Sequence, residues 1–134
     1  MPIAISSHLT PQTLSHIEFS YASADICVEN INYAIELTIC PGTTSTGSSI
    51  KWNNDTYNLV QFHFHSPAEH TGPGVTGVME VHFVHQDTST PCKTLVIAVL
   101  AEIGDNTNDA MHTILTHLPP SPSSRPRVRP YLES

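Results

Sequence analysis

In Gln61-Phe62-His63-Phe64-His65, polar and aromatic residues alternate with a period of two. On an extended strand this sends successive side chains to opposite faces, so His63 and His65 point the same way, roughly 6–7 Å apart, with Phe62 and Phe64 behind them. Two imidazoles at that spacing can share one metal ion at about 2.0–2.1 Å each. A second alternating stretch, Met79-Glu80-Val81-His82-Phe83-Val84-His85, offers a third. His82 shares a face with Glu80 and Val84, whereas His85 faces away with Val81 and Phe83. Three neutral imidazoles leave a tetrahedral zinc ion one open position for water, the catalytic rather than the structural arrangement. Such a site lowers the pKa of bound water to about 7. Gln61 and Glu80 lie on the histidine face, one pleat from a ligand. Each could accept a hydrogen bond from the ring N–H that is not on the metal, fixing tautomer and orientation. A single histidine on such a strand is as a rule a core residue with its hydrogen bonds satisfied. From the residues alone, a metal site and a set of core histidines both stay open.

The elements that must carry these side chains are mostly strands. Residues 16–22 and 25–29 read as short ones, and 31–39 alternates Ile31, Tyr33, Ile35, Leu37 and Ile39 with smaller or polar residues. Pro41-Gly42 ends that run, and the Thr/Ser/Gly stretch through Ser49 is a loop. Trp52-Asn53-Asn54-Asp55 reads as a turn into the strand 57–65, which alternates without interruption. Pro67 and Gly72-Pro73-Gly74 mark the loop leading to the strand 78–85. Residues 94–103 form a β-branched and apolar run broken only by Glu102, the pattern of a strand buried on both faces. The period then changes: Ala110, Met111, Ile114, Leu115 and Leu118 are spaced as one face of a helix over 107–118, with Thr107, Asn108 or Asp109 as N-cap. Pro119-Pro120 ends it, and the Pro/Ser/Arg-rich residues 121–134 are expected to be disordered. The class expected is mainly β, with one helix near the C-terminus.

A chain of 134 residues fits one domain with a modest core. Lys and Arg number 5 against 12 Asp and Glu, giving a net charge of −7 at pH 7. Three of the five cations, Arg125, Arg127 and Arg129, fall in the last ten residues, so the body is acidic and unsuited to a phosphate backbone. No stretch approaches the roughly 20 apolar residues of a membrane span. Residues 1–5 show no basic segment followed by a long apolar core, so no signal peptide is expected. The three cysteines, Cys27, Cys40 and Cys92, form no Cys-x-x-Cys pair, which disfavours a thiolate metal site. Their odd number leaves at least one thiol unpaired within the chain.

Residues 61–71, QFHFHSPAEHT, and 79–85, MEVHFVH, resemble the two halves of the alpha-class carbonic anhydrase signature, in its bacterial and fungal form. The likeness extends more weakly over residues 2–118, through PIAI at 2–5, VENINYAIEL at 28–37 and LVIAVL at 95–100. It implies a central twisted, largely antiparallel sheet, here incomplete, with the helix at its C-terminal end. The activity it implies is reversible hydration of carbon dioxide to bicarbonate by a zinc-bound hydroxide. Carbon dioxide and bicarbonate are then the partners, without nucleic acid or membrane. His63, His65 and His82 match the zinc ligands, and Gln61 and Glu80 the residues that orient them. Glu69 matches the buried glutamate that receives a hydrogen bond from the family's gatekeeper threonine, and Val84 and Val99 match the apolar wall where carbon dioxide rests. His70 and His85 match structural positions. Tyr33 falls where many members carry the proton-shuttling histidine, and a tyrosine with a pKa near 10 relays poorly at pH 7. Ala68 stands in place of a common serine. The family's GSLTTPPC segment, with that threonine, has no counterpart here. The expectation is a partial domain over residues 1–118, truncated at both ends, followed by a disordered tail at 119–134. Two alternatives go with it: a zinc-binding remnant without turnover, and a cupin-like metal protein that would use Glu69 as a ligand. Relatives are often secreted, and compartment and oligomeric state stay open.

Overall fold

The computed structural model describes residues 4, 12–31, 35–40, 47–119 and 127–128. Its elements are β1 (Glu18–Ser20), β2 (Ile26–Asn30), β3 (Ile35–Ile39), β4 (Ser49–Trp52), β5 (Asp55–His65), β6 (Met79–Asp87), β7 (Thr94–Ala101), α1 (Asp109–Thr116) and β8 (Arg127–Val128). The eight strands make one sheet in which every pairing between them is antiparallel. β5 is its axis. One edge of β5 pairs first with β4 and then with β3, while the other pairs with β6, which in turn carries β7. β1 flanks β4, and β2 and β8 continue outward from β3.

Local chemistry explains the hairpin that starts β5. Asn53 and Asn54 have φ of 50° and 68°, so both central residues of the two-residue turn are left-handed, as its twist requires. Asparagine accepts that conformation more readily than other side chains. The expected turn is therefore present, with Trp52 paired to Asp55 across it.

β5 departs from simple alternation. The register with β6 shifts between Leu59 and Gln61, leaving Val60 as an extra residue. A one-residue bulge changes which face the odd-numbered positions occupy. Tyr57 and Leu59, opposite Asp87 and His85, lie on one face. Gln61, His63 and His65, opposite Val84, His82 and Glu80, lie on the other. The face of Tyr57 and Leu59 continues through Phe62 and Phe64 onto the core.

That core is formed by Ile26, Val28, Leu37 and Ile114, with Ile35, Ile39, Phe62, Phe64 and Leu118 packed around it. Leu37 is fully buried, and burial of such a side chain contributes about 1.5–3 kcal/mol. Phe62 stacks on Phe83 at 5.4 Å between centroids and meets Phe64 edge-on at 6.1 Å. Cys27 and Cys40 form a disulfide linking β2 to the end of β3, and Cys92 is free and exposed. Closing a loop of this size constrains the unfolded chain by about 3 kcal/mol. On the core face of β6, His85 is fully buried, with Tyr21 Oη 2.8 Å from its Nε2 and its Nδ1 donating to the Phe83 carbonyl.

Several sequence expectations are revised. β1 covers three exposed residues rather than seven, and β2 runs one residue past the expected end. Residues 32–34, including Tyr33, lie outside the described residues. β7 ends at Ala101 and is not buried on both faces: Val96 and Val99 are each 46% exposed. An apolar run records a strand that needs covering, and among the described residues β7 has only β6 beside it. In α1 the cap is Asn108, whose Oδ1 accepts from Met111 N at 3.0 Å. Ile114 is buried, but Leu115 is 57% exposed, so the apolar face is narrower than its spacing suggested. Arg127 and Val128, within the segment expected to be disordered, pair with Cys27 and Ile26 of β2, and residues 120–126 and 129–134 lie outside the described residues. No described helix is long and apolar enough to cross a membrane.

Candidate metal centre

The register between β5 and β6 sets His63 directly opposite His82, and His65 directly opposite Glu80. Paired residues in an antiparallel ladder share a face, so three imidazoles converge. Their ring centroids lie 4.9 Å apart for His63–His65, 5.2 Å for His63–His82 and 4.7 Å for His65–His82. One nitrogen from each lies within 4.8 Å of the others.

Hydrogen bonding decides which nitrogen each ring has to offer. His63 Nδ1 donates to Gln61 Oε1 at 2.8 Å, leaving Nε2 free. His82 Nε2 lies 3.1 Å from Glu80 Oε1, which has the length of a hydrogen bond without its direction, and leaves Nδ1. His65 Nδ1 faces Glu69 Oε1 at 3.5 Å, leaving Nε2. Three free imidazole nitrogens suit a borderline metal that prefers nitrogen donors, so the residues present fit such an ion.

Glu80 holds the surroundings in place. Its carboxylate is fully buried; Oε2 accepts from the backbone N–H of Glu69 at 2.7 Å and of His70 at 2.8 Å, and Oε1 is hydrogen-bonded by His70 Nδ1. Burial by itself would raise this carboxyl, but the hydrogen bonds from His70 and the Glu69 backbone, with the His82 ring close by, outweigh it and hold the pKa at about 2. His70, Glu80 and His82 are as closely grouped as the three histidines, yet the Glu80 oxygens are already taken by N–H donors. Burial lowers the pKa of His63, and the neighbouring His65 and His82 rings lower it further, against a smaller opposing effect of Glu69. The ring is therefore neutral near pH 7, the form that binds metal.

A cavity of about 460 Å³ opens over the imidazoles. Glu69 and His70 stand at one side, and Val84, Val96 and Ala98 form an apolar wall. Val84 lines this wall. Val99 does not: Ala98 pairs with His82 and Val96 with Val84, so Val99, opposite Val81, points to the other face. Val96 and Ala98 take its place, a consequence of β7 register that the sequence of β7 alone does not contain. Glu69 is not buried either, its side chain being 28% exposed at the rim. The contact of His70 with Glu80 was also missed, because it depends on the loop folding back under β6.

The sequence profile of the eukaryotic-type carbonic anhydrases matches residues 1–128. A carbonic anhydrase of Neisseria gonorrhoeae is 38% identical over 106 residues, covering 79% of this chain and 39% of that protein. An alpha-carbonic anhydrase of Photobacterium profundum superposes with a TM-score of 0.81 at 25% identity, over 97% of this chain and 56% of that one. One from Thermovibrio ammonificans, solved with the inhibitor sulfanilamide, gives 0.82 at 26% identity, over 97% and 54%. The chain thus spans about half the length of these solved relatives. The cupin-like alternative falls with the same findings. Profile, relatives and the sheet that carries the three histidines agree: the chain belongs to the eukaryotic-type carbonic anhydrase family.

Proposed function

We propose that this chain is a zinc-dependent carbonic anhydrase homologue that hydrates carbon dioxide reversibly to bicarbonate. The observation that carries the reading is the convergence of His63, His65 and His82, each with one ring nitrogen free toward the others. Bound there, zinc supplies a Lewis acid that brings the ionisation of a coordinated water close to neutral pH. The chain's own residues do the rest. Gln61 fixes the His63 ring, and Glu80 lies against His82 Nε2 and holds the 66–70 loop. Val84, Val96 and Ala98 offer a small nonpolar substrate a surface with no polar competitor for its place.

A second reading, zinc binding without turnover, draws on the openness of that wall, where Val96 is 46% exposed. Carbon dioxide hydration by the zinc-loaded protein, with His82→Ala as control, separates the two. Hydration that disappears in the control supports the enzyme, and one zinc per chain without hydration supports the second reading. Metal stoichiometry unchanged in His82→Ala would remove the site itself.

A further inference from the structure

Each of the three histidines needs an acceptor on its far nitrogen if its ring is to be held for a metal. His63 has Gln61 at 2.8 Å, and His82 Nε2 lies 3.1 Å from Glu80 Oε1, within reach though not aligned. His65 is the last residue of β5, where the backbone ladder ends and constrains a ring least. What faces its Nδ1 is Glu69, with Oε1 at 3.5 Å.

We infer that Glu69 is the positioning residue for His65, accepting its Nδ1–H and aiming Nε2 into the site. The inference rests on the metal centre described above and assigns Glu69 a task at the ligand itself. Two features support it. The backbone of Glu69 is pinned, because its N–H and that of His70 both donate to the buried Glu80 carboxylate at 2.7 and 2.8 Å. The Glu69 carboxylate lies between two imidazoles, with Oε2 4.0 Å from His82 Nδ1. Its side chain is 28% exposed, which leaves the carboxylate room to turn toward His65. A metal on Nε2 polarises the ring and makes Nδ1–H a stronger donor, so closure and metal binding reinforce one another. Glu80 thus stands behind two of the three rings, lying beside His82 and holding the loop that carries Glu69.

The test is zinc affinity, measured by competition with a chromophoric chelator, for the wild-type chain, Glu69→Gln and Glu69→Ala. Loss of such a partner typically costs 10–100-fold in metal affinity. Glu69→Ala is expected to fall in that range, and Glu69→Gln, which keeps an acceptor oxygen, to recover most of the loss. Ring-nitrogen NMR of the zinc-loaded wild type provides a second readout that does not depend on a variant folding. It should show His65 with its proton on Nδ1 and protected from exchange. Wild-type affinity in Glu69→Ala, or an unprotected His65 Nδ1–H, overturns the assignment while leaving the metal centre intact. Equal losses in the two variants overturn it as well, because a direct ligand or a pure charge effect would be at work. A wild-type chain that takes up no zinc overturns the metal centre itself, and this role with it.

Discussion

The amide oxygen of Gln61 lies 2.8 Å from His63 Nδ1, and that contact decides which nitrogen of the ring is left for a metal. Gln61→Ala should therefore weaken zinc binding by about 10–100-fold while leaving all three imidazoles present. Isothermal titration checks this, and an affinity within about twofold of wild type would show that the ring is held by packing alone. His85, on the opposite face, carries a different expectation. Burial holds its pKa below the ordinary histidine value, only partly offset by its backbone hydrogen bonds to Leu95 and Phe83. As the pH falls through about 6.5, the unfolded chain binds the proton first, so stability present above that pH is lost progressively below it. His63, also lowered, acts in the same direction. Urea midpoints of the metal-free protein should be lower at pH 5.5 than at pH 7.5, with His85→Gln showing a smaller difference.

At the scale of the element, β5 does two jobs that an alternation running uninterrupted through Val60 could not do together. Its first half must put Tyr57 into the interior, where the ring is 1% exposed, and its second half must put His63 and His65 on the opposite face. The extra residue at Val60 reconciles the two, since a one-residue slip exchanges the faces. Deleting Val60 makes Leu59 and Gln61 neighbours opposite His85 and Val84, so regular alternation then keeps both halves on their present faces. Zinc stoichiometry should therefore be retained, and stability should fall by no more than about 1 kcal/mol. Zinc content and urea denaturation of the deletion variant check this. Loss of zinc binding would show that the local bend of the bulge, and not the face assignment alone, shapes the site.

At the scale of the whole molecule, the candidate metal site draws on the middle of the sheet, because its donors come from β5 and β6 and its apolar wall from β6 and β7. A ligand that binds only the folded state stabilises it by mass action. Zinc at a hundredfold excess over its Kd should add about 2.7 kcal/mol, seen as a rise in Tm that a chelator reverses and that His82→Ala lacks. Lys93 reaches Asp55 and lies 3.6 Å from the buried Asp87, bracing the β6–β7 loop against β5.

The sequence by itself determined the parts that depend on nearest neighbours. Strand alternation set His63 beside His65 and His82 on the Glu80 face, paired asparagines set the β4–β5 turn, and Asn108 capped α1. The spacing of the signature was enough to point to the family. Tertiary structure decided what depends on partners distant in the chain. Register placed Val96 and Ala98 rather than Val99 beside the site, and strand pairing brought Cys27 to Cys40. It also left β7 exposed despite an apolar sequence, and brought the 66–70 loop under Glu80. The reason is that hydrophobic periodicity fixes which side chains share a face, whereas the neighbour that meets that face is fixed only when strands pair.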